Sequence, residues 1–227
     1  MKTPSFLKNP IEVLYEDKQY IAFNKPANLL VIPTPQQEDN TLVNIVNFQY
    51  AQKKLKETLH PCHRLDRDTS GVILFAKGVP FQHRMMDLFK ARQVKKEYIA
   101  IVQGNFKKTK GQLASKIKNF KAGRPILQDA VLNYELIEAF RDCSLLRVFP
   151  VTGRTNQIRI QFSEIGHPLV GDRKFSFARD YDVKFRRTAL HAQRLEFVHP
   201  VTKKTISIKV NLPEDMEVFL ARHRDQR

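Results

Sequence analysis

The sequence predicts an α+β fold, a mostly antiparallel mixed sheet flanked by helices and loops. Many short stretches alternate apolar and polar residues as half-buried strands do, while a few longer ones repeat their apolar residues at helical spacing. No regular strand–helix–strand rhythm joins them, which argues against a parallel sheet. A hydrophobic content of 42% in 227 residues, with 16 Phe and 6 Tyr, supplies a core and excludes a disordered basic tail. One domain spanning residues 1–227 is expected, without an independent second unit.

Taken in order, Ile11/Val13/Tyr15 and Ile21/Phe23 alternate as strands, and a helix is expected over Thr41 to Lys56. The apolar run Val72 to Ala76 reads as a strand leaving a polar loop. Phe81 to Arg92 reads as a helix with Phe81, Met85, Leu88 and Phe89 on one face. Asn105 to Arg124 carries seven Lys or Arg and no acid, and it reads either as a solvated loop or as an RNA-contacting arm. Leu132/Tyr134/Leu136 returns to strand spacing. Thr155 is placed to cap a helix over Asn156 to Ile165, in which Ile158, Phe162 and Ile165 recur. Leu195/Phe197 and Ile206/Ile208/Val210 close the pattern as strands.

Charge narrows the function. With 39 Lys plus Arg against 23 Asp plus Glu the formal net charge is +16, so the chain's field attracts polyanions. Nucleic acid is the expected partner. No apolar run approaches the roughly 18 residues that spanning a membrane needs, and the start lacks a signal core, so a cytoplasmic protein is expected. Cys62 and Cys143 form no CxxC pair, which argues for reduced thiols and no zinc site.

Two polar clusters carry the chemistry. In His60-Pro-Cys-His-Arg-Leu-Asp-Arg-Asp-Thr-Ser-Gly71, Asp66 lies between Arg64 and Arg67, whose charges favour an ionised, nucleophilic or basic carboxylate. The alternative is a turn over Asp68-Thr-Ser-Gly71 capped by Asp68. His60, Cys62 and His63 lack a second ligand cluster, and loop histidines are the expected reading. In Thr152-Gly-Arg-Thr-Asn-Gln-Ile-Arg-Ile160, Arg154 and Arg159 near a helix start oppose the helix dipole and call for an anion, a buried carboxylate or a phosphate. Asp66 would serve. Arg173 to Arg187 mixes six basic residues with Phe175, Phe177, Tyr181 and Phe185, a composition suited to phosphate contacts beside stacking surfaces or to core.

The ordered set of motifs resembles the RluA-type pseudouridine synthases over nearly the whole chain. Tyr15 to Lys25-Pro-Ala looks like the family's lysine-proline motif, and His63 to Gly71 like its catalytic signature. Lys96 to Gly104 resembles the tyrosine strand, and Gly153 to Arg159 with Gly166 to Asp172 the third motif; Leu190-His-Ala and His199-Pro complete the order. The resemblance implies the pseudouridine synthase fold with a central RNA-binding cleft. It makes Asp66 the catalytic aspartate, Arg159 its ion-pair partner, Tyr98 a stacking surface for the target base, Arg64 the occupant of the space left by a flipped nucleotide, and Ile160 a packing surface beside the ring. Lys25 reads as structural or site-lining.

Two positions depart from the family pattern: Asn156 and Gln161 stand where His is usual. Both remain hydrogen-bonding, so altered support or substrate preference is expected more than lost activity. The family's S4 RNA-binding domain is expected to be absent. RNA contacts are then expected from Arg67, Arg154, Lys107, Lys108, Lys110, Arg173, Lys174, Arg186 and Arg187, in a monomer acting on a tRNA or rRNA stem-loop without cofactor or metal. A non-catalytic RNA-binding or assembly protein on the same fold is the alternative, and a DNA-binding or base-excising protein explains the charge but not the ordered motifs.

Overall fold

The computed structural model describes residues 10–36, 38–52, 57–121, 124–176, 183 and 185–225. Ten strands and four helices occur among them, an α+β arrangement, and no helix is long and apolar enough to cross a membrane. The chain divides into two compact units, 1–95 with 194–210, and 96–193 with 211–227, so each is completed by a later return of the chain.

The first unit contains β1 (Val13–Glu16), β2 (Tyr20–Lys25), α1 (Leu42–Gln52), β3 (Leu59–Pro61), β4 (Ser70–Lys77) and α2 (Val79–Lys90). Asp17 closes the first hairpin, its Oδ1 accepting the amides of Gln19 and Tyr20 at 2.7 Å. β2 then pairs antiparallel with β4 from Tyr20↔Ala76 to Lys25↔Gly71. Both strands are buried almost throughout, and α2 covers the face that carries Tyr20, Ala22, Val72 and Leu74. Met85 is wholly buried against Tyr20, Ala22, Val72 and Leu74, with Phe81, Leu88 and Phe89 beside it, the α2 face expected from the sequence.

The second unit contains β5 (Lys95–Gln103), which begins on the boundary, β6 (Lys110–Lys121), β7 (Arg124–Ala139), β8 (Cys143–Pro150), α3 (Gln157–Glu164) and α4 (Glu214–Arg224). β9 (Leu190–Val198) is divided between the units, and β10 (Thr205–Lys209) pairs antiparallel with it in the first. Strand periodicity sorts the second unit's two cores. Ala100, Val102, Leu146 and Val148 meet Ile158 and Phe162 of α3, whereas Ile99, Ile101 and Leu145 meet Met216, Phe219 and Leu220 of α4.

Three expectations need correction. Residues 105–109 of the basic stretch form a loop with Lys107 and Lys108 exposed, but from Lys110 the stretch is strand: β6 pairs with β7 from Lys110↔Glu135 to Lys121↔Arg124, with Gln112, Ala114, Lys116 and Lys118 exposed and Ile117 buried. Its period of two is masked by lysines on the outward positions. Gly111 lies under the Tyr134 ring, where an added Cβ would sit 2.5 Å from the hydroxyl. Thr155 does not cap α3; the N-cap is Asn156, in the left-handed region at φ 54 and with no side-chain cap. Asparagine tolerates that conformation better than a β-branched threonine. The turn in the first polar cluster runs from Asp66 to Thr69, two residues earlier than the alternative reading placed it.

Candidate active site

The first cluster becomes a loop between β3 and β4 that is anchored on both sides of Asp66. Ahead of it, the Cys62 amide donates to the Leu74 carbonyl at 2.9 Å, His63 Nε2 accepts the Leu74 amide at 3.1 Å, and Leu65 is buried. Behind it, the Thr69 amide donates to the Asp66 carbonyl at 3.1 Å, a turn whose first position favours Asp. Lys25 is wholly buried and its ammonium donates to the carbonyls of Pro26, Leu29 and Arg67 at 2.9, 2.6 and 2.9 Å. Those oxygens replace water that a buried ammonium loses, and one belongs to the residue after Asp66. Lys25 is therefore structural in a specific sense: it ties the end of β2 to the loop.

Asp66 itself is half-buried, while Arg64 and Arg67 are exposed. The Arg67 guanidinium engages Glu38 at 3.2 Å, so its charge is shared with an acid outside the loop. Hydrogen bonds from the Thr34 hydroxyl and amide hold the Glu38 carboxyl below its usual value. His199, from the last family motif, is buried at the other end of this unit. Its Nδ1 accepts the amides of Val201 and Thr202, and its Nε2 lies 3.1 Å from Asp17.

In the second unit Tyr98 is half-buried on β5, opposite Val148 and packed against the α3 cluster. Ile160 is half-buried on α3, and Arg159 beside it is buried. The Arg159 Nε and Nη2 donate to the two oxygens of Asp172 at 2.6 and 2.9 Å, and Nη1 donates to Asn156 Oδ1 at 2.9 Å. Asp172 was quoted in the sequence only as the end of a motif, and its pairing carried no signal there. Burial raises its carboxyl, but the hydrogen bonds and charge of Arg159 and the amides of Lys174 and Phe175 outweigh that and hold it below the ordinary carboxylate range. The Phe175 ring covers the guanidinium, its centroid 5.0 Å from Cζ.

The two departures from the family pattern remain hydrogen-bonded. Asn156 accepts from Arg159, and Gln161 Nε2 donates to the Ala130 carbonyl at 3.0 Å and reaches Leu113 and Ser115 at 3.3 Å. Gln157 extends this chain, donating to Gln161 Oε1 and accepting the Thr152 hydroxyl at 2.7 Å and the Arg154 amide at 3.0 Å. These glutamines fasten α3 onto the β6–β7 hairpin. Buried glutamines on a helix were the available signal, but only the fold names their partners.

Of the basic residues, Lys107, Lys108, Lys110, Arg173, Lys174 and Arg186 are exposed, and Arg154 is half-buried with Nε on the Asp129 carbonyl at 3.0 Å. Arg187 corrects the expectation. It is buried, and its Nε and Nη2 engage Asp215 of α4 at 2.7 and 2.9 Å, so it presents no face to a phosphate. Phe177, Arg179, Tyr181 and Lys184 of that stretch lie outside the described residues.

For metals, His63 Nε2 is already occupied by the Leu74 amide, and burial pushes the Cys62 thiol well up, which keeps it neutral. Among the described residues, Asp142, Cys143 and His223 bring three potential ligand atoms within 4.8 Å of one another. Burial, then the charge and hydrogen bond of Asp142, push the Cys143 thiol up to about 12, so it is neutral at pH 7.

Known proteins resemble this chain in sequence and in fold. Residues 19–164 match the family described as RNA pseudouridylate synthase. Similar relatives include the "ribosomal large subunit pseudouridine synthase D" of Vibrio cholerae, 34% identical over 96% of this chain and 72% of the relative. The protein of the same name in Zymomonas mobilis is 33% identical over 92% of this chain and 72% of its own. Among solved structures, "Human RNA Pseudouridylate Synthase Domain Containing 4" aligns with a TM-score of 0.78 at 24% identity over 93% of this chain and 92% of that one, a likeness of fold. With its ordered motifs, its α+β architecture and these relatives, the chain belongs to the RNA pseudouridylate synthase family and is an enzyme that isomerises uridine to pseudouridine in RNA.

Proposed function

We propose that Asp66 is the catalytic carboxylate, that Arg159 is the cation supporting it, and that the substrate is a structured ribosomal RNA. The observation that carries the reading is the loop around Asp66. A half-buried carboxylate stands at the first position of a turn pinned by Lys25 ahead of a buried strand, where positioning is set by rigid elements rather than by the loop alone. Tyr98, Arg64 and Ile160 act with it in the roles the family resemblance implies. The reaction breaks the bond from C1′ to N1, turns the uracil and joins C5 to C1′, the C5 proton being replaced by one on N1. No electron or phosphoryl group is transferred, so no cofactor is required for its balance. The carboxylate acts ionised, whether as nucleophile or base. The target base must first leave its stack at a cost of a few kcal/mol, of which stacking on Tyr98 offsets about 1–3 kcal/mol.

Ribosomal rather than transfer RNA is the first substrate to test, because the relatives are named for the large ribosomal subunit. Pseudouridine is mapped in total RNA with and without this gene, and the lost position is then presented to the purified protein. Asp66→Asn keeps the volume and removes the charge. Single-turnover isomerisation is expected to disappear while RNA affinity stays within several-fold; a rate close to wild type would overturn the assignment of Asp66.

A further inference from the structure

We propose that Asn156 is a positioning residue for Arg159, an inference that deepens and rests on the reading of Arg159 as part of the active site. A guanidinium offers five N–H groups in a planar fork on a long flexible stem, so its usefulness to a second acceptor depends on what holds the fork. Here Nε and Nη2 are held side-on by Asp172, and the remaining nitrogen, Nη1, is held by Asn156 at 2.9 Å. Asp172 is itself fixed, its Oδ1 accepting the amides of Lys174 and Phe175 at 2.9 and 3.1 Å. Gly171 before it adopts φ +73, where a Cβ would meet the Arg187 carbonyl at 2.0 Å. With one carboxylate alone, rotation of the fork would be limited on one edge only. Asn156 limits the second.

Two features separate this from helix anchoring. Asn156 stands at the N-cap of α3 and its side chain makes no capping bond; the oxygen that would cap the first turn is directed to Arg159, three residues on and on the same helical face. It does so from a left-handed backbone at φ 54, a conformation that non-glycine residues adopt sparingly and that tends to gather at functional sites.

The test uses variants that separate backbone from side chain. Asn156→Gly favours the same backbone and removes the acceptor; Asn156→Asp keeps an oxygen there on a residue that also tolerates the left-handed region. Each full-length protein is measured for melting temperature, RNA affinity and single-turnover rate on a large-subunit RNA fragment that the wild type modifies, alongside Arg159→Met. The expected result for Asn156→Gly is an unchanged or higher melting temperature, affinity within twofold, and a rate lower by about 10-fold, with Asn156→Asp restoring most of it. A wild-type rate for Asn156→Gly while Arg159→Met is inactive overturns the positioning role alone, as does a loss that Asp fails to restore. A wild-type rate for Arg159→Met overturns the reading beneath it.

Discussion

Asp172 shows at the scale of one residue how burial and pairing compete. Its side chain is fully enclosed and its partner Arg159 nearly so, and the desolvation of both charges is offset by a bidentate pair with two backbone amides. Asp172→Asn leaves the guanidinium uncompensated, so a loss of about 3–5 kcal/mol is expected at pH 7 in urea unfolding. The sign with pH follows from the lowered carboxyl. A group depressed in the folded state contributes fully above its unfolded value, about 3.9, and loses that contribution as pH falls through the folded value. The stability gap between wild type and Asp172→Asn should therefore narrow below about pH 4. A gap of the same size at pH 7 and pH 3 would mean that the ion pair contributes nothing through charge.

The β6–β7 hairpin is the element that couples charge to position. Its inward side chains and the Gln157–Gln161 chain fasten it to α3, while Phe106 anchors the approach to it, donating its amide to Ser144 Oγ at 2.8 Å and packing against Tyr134 and Phe162. Lys107, Lys108 and Lys110 thus leave a fixed base and face solvent. Replacing all three by Gln should flatten the dependence of log K on log salt by about 0.7 to 0.9 per lost phosphate contact. The rate at saturating RNA should hardly change, since none of the three is placed in the chemistry. An unchanged slope in filter binding across a salt series would remove this hairpin from the RNA interface.

For the whole molecule, a net charge of +16 favours a strongly electrostatic, salt-dependent association with RNA. Shape-dependent reading of a loop with a splayed uridine needs only local contacts. The protein is expected to modify a protein-free stem-loop containing its target at a rate comparable to that on total ribosomal RNA. Activity on assembled ribosomal particles, with none on free ribosomal RNA fragments, would count against this.

Local periodicity was legible in the sequence wherever one strand or helix decides its own burial. It located β1, β2, β7, β9, β10 and the helices α1 to α3, and it named the α2 face that encloses Met85. Ordered motifs singled out Asp66 and Arg159 as candidates. The sequence reading passed over α4, although Pro213, an acidic first turn and Arg222, His223 and Arg224 in its last turn were available signals. β4, buried on both faces, shows as a continuous apolar run; in β8 the apolar residues also face both sides but Arg147 interrupts the run, and in β6 the lysines hide an alternation, so these two were missed. The tertiary structure alone decided the partners. Asp172 holds Arg159 across 13 positions, Asp215 takes Arg187 out of the basic surface across 28, and Lys25 reaches the Arg67 carbonyl across 42. The sequence determined which side chains carry charge and which segments alternate, because those are properties of neighbours along the chain. Which charge meets which is set by how strands register and helices pack, and a buried ion pair forms only where that packing removes water from both partners at once.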